Sequence, residues 1–205
     1  MMGPEEIERA SMAIIGREMG DWAGPAENLP VLKRVIHTTA DFDFVRNLLF
    51  SPNAVRLGRE ALRRGVTVVT DTAMAAAGIG KPAAARWGVS VVCRMADPEV
   101  GEEARRRGVT RAVVCMERAV EATPDAVFAI GNAPTALMRL CELIREGRAR
   151  PSLVVGVPVG FVNVVESKEV LAAMDVPQIV AMGRKGGSTV AAAILNALFY
   201  GMEDR

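Results

Sequence analysis

Residues Leu153-Val154-Val155-Gly156-Val157 and Gln178-Ile179-Val180-Ala181-Met182 are two short apolar runs, rich in β-branched side chains, with a helical stretch of sequence between them. Apolar runs of this length, without the alternation of a half-exposed strand, indicate strands that are covered on both faces. A strand, a helix and a second strand in this order are typical of a parallel sheet.

The same alternation extends over most of the chain. Three further strands are predicted at Val66–Thr70, Val89–Cys93 and Ala126–Ile130. Apolar residues at helical spacing predict helices at Ala54–Arg64, Glu99–Arg107, Thr135–Glu146, Glu166–Met174 and Ser188–Tyr200. We therefore predict an α/β fold, a three-layer α/β/α sandwich around a mainly parallel sheet of about five strands.

Two segments precede the first of these strands and fall outside the alternating pattern. Pro4–Met19 is predicted to be helical, and Leu29–Phe50 follows it, so the sheet is expected to carry an N-terminal helical extension. With 205 residues, of which 50% are hydrophobic, the chain is expected to form one domain spanning residues 1–205.

Charge and composition argue against several classes of protein. The 25 Lys and Arg residues nearly balance the 24 Asp and Glu residues and are scattered, so no nucleic-acid partner is expected. Apolar runs are too short to span a membrane, and the acidic N-terminal stretch lacks the pattern of a secretory signal, so a cytoplasmic protein without a membrane partner is expected. The three widely spaced cysteines suit buried, reduced thiols, and no metal site is predicted.

The chain contains a single histidine, His37, in the run Arg34-Val35-Ile36-His37-Thr38-Thr39. Imidazole is the side chain whose proton equilibrium lies nearest to neutral pH, so any acid–base chemistry in that range has one obvious candidate. The alternative is a structural histidine with satisfied hydrogen bonds.

Three predicted strands are each followed at once by a turn that contains glycine. The turns are Gly131–Thr135, Pro158–Asn163 and Gly183–Thr189. If the strands are parallel, all three turns lie at the carboxyl edge of the sheet, where open α/β sheets bind ligands. Glycine allows close backbone approach and helix N-termini favour carboxylate or phosphate, so an anionic ligand is expected.

The turn at Gly183–Thr189 is not a phosphate-binding P-loop. In that motif the lysine follows the second glycine, whereas Lys185 precedes the pair Gly186-Gly187. No Gly-x-Gly-x-x-Gly fingerprint follows the first predicted strand either, so nucleotide binding is left as the generic possibility for this fold class.

A set of motifs in order along nearly the whole chain resembles one known family, the precorrin-8X methylmutases, also called cobalt-precorrin-8 methylmutases, of cobalamin biosynthesis. The matching segments are Glu8–Ser11, Arg34–His37, Asp41–Phe44, Asp71–Met74 with Gly78, Thr110-Arg111, Gly131–Leu137, Gly156–Val162, Glu166–Lys168 and Gly183–Ser188. The resemblance implies an isomerase that moves a methyl group between neighbouring carbons of precorrin-8X or cobalt-precorrin-8, giving hydrogenobyrinate or its cobalt counterpart. It also implies no redox or nucleotide cofactor, and a homodimer with the active site near the subunit interface.

The resemblance assigns His37 as the catalytic residue, an acid or hydrogen-bond donor to a ring nitrogen of the macrocycle. A methyl migration needs no external nucleophile, so one acid and a cleft that fixes the substrate suffice. The substrate is polyanionic, and its expected contacts are Ser11, Met74, Gly78, Lys81, Arg111, Asn132, Thr135, Gly160, Ser167 and Arg184. Asp41 and Asp43 are expected to set a turn rather than to donate protons.

Several of these contacts have a plainer alternative. Arg111 suits a structural ion pair as well as a carboxylate clamp, Met74 suits core packing, and Lys81 suits a solvated surface. Two positions depart from the family pattern, because Ala40 stands where glycine is common and Met12 where phenylalanine is common. Two other functions stay open, an α/β enzyme acting on a phosphorylated or nucleotide substrate and a non-catalytic tetrapyrrole carrier. The sequence does not decide whether the substrate carries cobalt.

Overall fold

The computed structural model describes residues 3–202. In that range the strands are β1 (Leu48–Phe50), β2 (Val68–Thr70), β3 (Val91–Val92), β4 (Val127–Ile130), β5 (Leu153–Gly156) and β6 (Gln178–Ala181). The helices are α1 (Pro4–Glu18), α2 (Leu29–Thr39), α3 (Phe44–Asn47), α4 (Ala54–Arg63), α5 (Ala73–Gly78), α6 (Lys81–Arg86), α7 (Pro98–Arg107), α8 (Arg111–Ala122), α9 (Pro134–Arg145), α10 (Val164–Ala172) and α11 (Ser188–Tyr200). A short 3₁₀ turn, Ala26–Asn28, leads into α2.

The six strands form one sheet in the order β1-β6-β5-β4-β2-β3. All neighbouring pairs are parallel except β1 and β6, in which Leu49 lies opposite Val180. The mainly parallel sheet is thus confirmed, with each of the five predicted strands present. The prediction missed β1, a three-residue antiparallel edge strand at the end of the N-terminal extension.

Helices cover both faces of the sheet, which confirms the three-layer sandwich. Along β4, Val127 and Ala129 pack in one apolar core with α2, α4 and α11, whereas Phe128 and Ile130 pack in the other core with α7, α8 and α9. This alternation follows from the two-residue period of a strand. Both faces of β4 are completely buried, as the unbroken apolar run predicted.

The N-terminal extension is more divided than expected. The predicted helix at Pro4–Met19 is α1, but Leu29–Phe50 contains α2, α3 and β1. The sequence reading also missed α8, whose first turn is capped by the Thr110 hydroxyl, which accepts a hydrogen bond from Val113 N. The short alanine-rich helices α5 and α6 after β2 were not predicted either.

The parallel arrangement of β4, β5 and β6 places the three glycine turns side by side at the carboxyl edge of the sheet. The turn after β2, which begins with Asp71, lies at the same edge because β2 is parallel to β4. A groove between α2 and α11 adjoins this edge.

Candidate functional site

His37 lies in the last turn of α2 with its side chain exposed, in a cavity of about 280 Å³ between α2, α5 and α11. The α11 residues that line this cavity recur every three or four positions, as one face of a helix requires: Thr189, Ala192, Ala193, Asn196 and Tyr200. Arg34, Thr38 and Gly78 complete the lining. The single imidazole of the chain therefore faces a cavity rather than the packed core.

Close packing of α5 against α11 forms one wall of this cavity, and Gly78 makes that packing possible. A Cβ at Gly78 would lie 2.8 Å from the Ala192 Cβ, too close for two methyl groups. Asn196 fastens the contact, because its Nδ2 donates to Gly78 O (2.9 Å) and its Oδ1 accepts from Gly80 N (2.8 Å). Asn196 was absent from the sequence-based candidates, and only the tertiary contact identifies it.

Arg34 lies one turn before His37 on the same face of α2. Its Nη2 donates to Glu8 Oε1 of α1 at 2.6 Å, and its guanidinium carbon lies 5.1 Å from the centre of the Tyr200 ring. Arg34 and Tyr200 also line a second cavity, of about 530 Å³, that continues along α2 past Lys33. The groove thus has one imidazole, with several cations beside it.

The C-terminal end of α2 is tied to the loop after β6. Lys185 Nζ donates to Asp41 Oδ2 at 2.6 Å and to Asp43 Oδ2 at 2.5 Å, and this ammonium lowers the pKa of the Asp41 carboxyl. Asp43 N also donates to Asp41 Oδ1 at 3.0 Å, so the predicted turn is confirmed. Ala40 ends α2 in the left-handed conformation, with φ at 52°, which explains why glycine suits this position.

A buried lysine of α10 also binds the backbone of the loop after β6. Lys168 of α10 is completely buried, and its Nζ donates to Gly183 O at 2.7 Å and to Lys185 O at 2.8 Å. Burial lowers the pKa of Lys168 to about 8. Sequence reasoning noted this lysine only as part of a motif, since a lysine on a helix is usually solvated.

The turn after β4 is held by a carboxylate of the protein itself. Asp71 is completely buried and accepts hydrogen bonds from Gly131 N (2.8 Å), Asn132 N (2.8 Å) and Ala133 N (2.6 Å). Burial raises the pKa of Asp71, and the three N–H donors oppose that rise. These N–H groups are therefore not available to an anionic ligand, contrary to the expectation for this turn, although the Asn132 side chain is exposed.

Other predicted residues spread along the carboxyl edge. Met74 is 66% exposed, so its side chain does not pack in the core. Gly160 N donates to Arg184 O at 3.2 Å, and the Arg184 guanidinium stacks over Phe161 at 5.5 Å. Phe161 is 82% exposed and adds apolar surface to this edge.

The remaining candidates lie in separate places. Thr135 accepts a hydrogen bond from Thr110 at 3.2 Å beside Arg111, which is exposed and has no ion-pair partner among residues 3–202. Lys81 lines a different cavity, of about 380 Å³, on the β3 side of α5. Hence the structure does not bring Lys81 and His37 into one cavity.

The two serines differ in their access to a ligand. Ser11 lies on α1, is partly exposed and donates to Ile7 O at 2.9 Å. Ser167 is completely buried and donates to Val164 O at 2.8 Å within α10, so its hydroxyl is out of reach of a ligand in this structure.

The described part of the chain has neither a cluster of metal ligands nor a membrane-spanning helix. In residues 3–202 no three or more His, Cys, Asp or Glu side chains are grouped to hold a metal ion. None of the helices in the same range combines the length and apolar character that a membrane crossing needs. Fold and site together define an α/β protein with one exposed imidazole in a groove lined by cations, a site for acid–base chemistry on an anionic ligand.

Comparison with known proteins identifies the family. The precorrin-8X methylmutase family model matches residues 6–201. A cobalt-precorrin-8 methylmutase of Priestia megaterium is 46% identical over 95% of this chain and 87% of its own length. A precorrin-8X methylmutase of Pseudomonas aeruginosa is 41% identical over 95% of this chain and 94% of its own. The crystal structure of precorrin-8X methylmutase from Thermus thermophilus is 40% identical, covers 97% of this chain and 98% of its own, and superposes with a TM-score of 0.89.

The chain therefore belongs to the precorrin-8X methylmutase family, as the sequence motifs indicated. Like its family it is an isomerase of cobalamin biosynthesis that moves a methyl group within its substrate. This membership decides against the two alternatives, the enzyme acting on a phosphorylated ligand and the carrier without activity.

Proposed function

We propose that the substrate is precorrin-8X or cobalt-precorrin-8, bound as a polyanionic tetrapyrrole in the groove between α2, α5 and α11 and along the carboxyl edge of the sheet. Relatives with either substrate in their names match this chain at similar identity, 46% and 41%. The methyl shift is an isomerisation, so no atom and no electron has to be supplied, and the proposal needs no cofactor.

The observation that supports this proposal most directly is the exposed imidazole of His37 in its cavity beside Arg34. We propose that His37 donates a proton or hydrogen bond to a ring nitrogen of the macrocycle. Loss of electron density at that nitrogen makes the neighbouring carbon a better acceptor for the migrating methyl group. The proton returns to His37 once the methyl group has moved, so the enzyme is unchanged after each turnover.

The proposed contacts with the rest of the substrate are of two kinds. Met74 and Gly78 provide apolar contact and room for a flat ring system. Ser11, Lys81, Arg111, Asn132, Thr135, Gly160 and Arg184 provide polar or charged contact with its acidic arms. These residues lie in both helical layers and along the carboxyl edge of the sheet, and a ligand that contacts all of them has to be large and to carry several arms. Ser167 leaves this set because it is buried.

We further propose that residues 1–205 form one domain and act as a homodimer. The dimer is supported by exposed apolar side chains at the carboxyl edge, among them Phe161 (82% exposed) and Val162 (78% exposed), which a monomer would leave in water. The cytoplasmic location and the absence of nucleic-acid and membrane partners stay predictions from the sequence.

The test is the visible absorption spectrum of the protein mixed with metal-free precorrin-8X, and in parallel with cobalt-precorrin-8. We expect the wild type to convert at least one of them to the product chromophore. His37→Ala should bind the substrate but convert it roughly 10² to 10⁴ times more slowly, the usual contribution of a general acid. His37→Asn, which keeps a hydrogen-bond donor but cannot hand over a proton near neutral pH, separates the two roles. Full activity of His37→Ala would refute the assignment, provided that its thermal unfolding matches that of the wild type.

A further inference from the structure

Arg34 is the charged side chain nearest to His37 along its helix. The two residues are three positions apart, so they share one face of α2, and both line the cavity of about 280 Å³. Arg34 also lines the second cavity, of about 530 Å³, and therefore stands where the two cavities meet. Its side chain is only 23% exposed, and its guanidinium carbon lies 5.1 Å from the centre of the Tyr200 ring.

The guanidinium has hydrogen-bonding capacity to spare. A guanidinium carries five N–H groups. Among residues 3–202, Arg34 makes one hydrogen bond with them, from Nη2 to a single carboxylate oxygen, Glu8 Oε1, at 2.6 Å. A guanidinium binds a carboxylate best through two parallel N–H bonds. The present pair is thus an incomplete version of the contact that a free carboxylate would make.

Glu8 is easily displaced. Its side chain is 50% exposed and lies on α1, outside the sheet layers. An ion pair of this exposure contributes little to stability, so a ligand that replaces it loses little. The second cavity adds a further cation, because Lys33 has neither an ion-pair nor a hydrogen-bond partner among the described residues. Met12, Leu29 and Pro30 give the same cavity an apolar floor.

We propose that Arg34 binds a carboxylate arm of the substrate and that Glu8 occupies the place of this carboxylate in the empty protein. The inference rests on the proposed tetrapyrrole substrate. The arm enters between the two cavities, displaces the Glu8 carboxylate and pairs with the Arg34 fork. The displaced Glu8 then faces solvent. Arg34 is a binding residue in this account, and His37 alone transfers the proton.

The test is an absorbance titration with hydrogenobyrinate, the metal-free product, which separates binding from turnover. Arg34→Gln should raise the Kd about 10- to 100-fold, the usual effect of losing a hydrogen bond between charged groups. Glu8→Gln should lower the Kd, by about two- to fivefold, because the competing carboxylate is gone. Glu5→Gln, on the same helix with an exposed side chain, is the control for the change in net charge.

The double variant decides whether Glu8 acts through Arg34. In an Arg34→Gln background, Glu8→Gln should bind no more tightly than Glu5→Gln in that background. If the ion pair between Arg34 and Glu8 is merely structural, Glu8→Gln should bind the tetrapyrrole no better than the wild type. That result, or an unchanged Kd for Arg34→Gln, would overturn the inference while leaving the proposed function intact. A wild type that does not bind the tetrapyrrole would overturn both. If Arg34→Gln does not fold, Arg34→Lys keeps the charge without the fork and should raise the Kd in the same direction.

Discussion

Substitution of Gly78 by alanine tests the packing that forms the wall of the His37 cavity. The new methyl carbon would lie 2.8 Å from the Ala192 Cβ, whereas carbon atoms in favourable contact are about 3.5–4.0 Å apart. Helices α5 and α11 would have to separate by roughly 1 Å. Overpacking of this kind costs about 1–3 kcal/mol. Alanine also lowers the conformational entropy of the unfolded chain, which offsets about 0.4–1 kcal/mol of this cost. We expect a net loss of about 1–2 kcal/mol in the free energy of unfolding.

Equilibrium urea denaturation measures this loss, and the chain provides a matched control. Gly101 is also a helical glycine, but a Cβ there meets no atom closer than 3.5 Å, which is ordinary contact. Gly101→Ala should therefore gain up to about 1 kcal/mol from helix propensity. The variants thus carry the same chemical change with opposite expected signs.

A second substitution identifies the clash itself. Ala192→Gly alone should cost about 1 kcal/mol, because it places a glycine inside α11. In the Gly78→Ala background the same change removes the opposing methyl group, so it should cost much less or restore stability. If the two effects simply add, or if Gly78→Ala is as stable as Gly101→Ala, then close packing between α5 and α11 does not constrain the site and the reasoning is wrong.

Two further predictions concern Lys168 and the proposed dimer. The pKa of Lys168 is lowered to about 8 in the folded protein, so between about pH 8 and the ordinary lysine range near 10.5 this group holds more protons in the unfolded chain, and Lys168 contributes a rise in the free energy of unfolding with pH. The Cys115 and Cys141 thiols, whose pKa burial raises to about 11, contribute a fall, so the contribution of Lys168 is measured as a difference in slope between variants. Lys168→Met should lack this rise and Lys81→Met should keep it in denaturation curves across that range; equal slopes for Lys168→Met and the wild type would contradict the prediction. Light scattering should find a mass twice the 21.9 kDa of the chain, falling toward the monomer when Phe161 and Val162 are both changed to serine. A monomeric wild type would refute the dimer.

The predicted strands were reliable where one local signal sufficed. An unbroken apolar run such as Leu153–Val157 is buried on both faces, and both its position and its parallel neighbours followed from that pattern. In contrast, β1 has three residues, of which Leu49 is 45% exposed. Its pairing with Val180 depends on residues about 130 positions away, and no local sequence pattern predicts such a contact.

In the candidate site, too, local sequence patterns predicted some features and not others. The glycine turns could be placed at one edge of the sheet, because parallel strands bring their carboxyl ends together. The occupation of the Gly131–Ala133 N–H groups by Asp71 could not be predicted, since the carboxylate comes from the turn after β2, 60 residues earlier. A helix N-terminus offers its donors to any anion, and the sequence does not show when the protein has already supplied one.

The position of His37 depends on a chain of contacts that runs to the opposite face of the sheet. The C-terminal end of its helix is held by Asp41 and Asp43, which pair with Lys185, and the backbone around Lys185 is held by the buried Lys168. An ammonium buried without a carboxylate is costly, and an apolar side chain would fill the same space at lower cost. Departures from local stability of this kind concentrate where function requires them. Lys168 fits that pattern, because the loop that it fixes is the one that orients the end of the His37 helix.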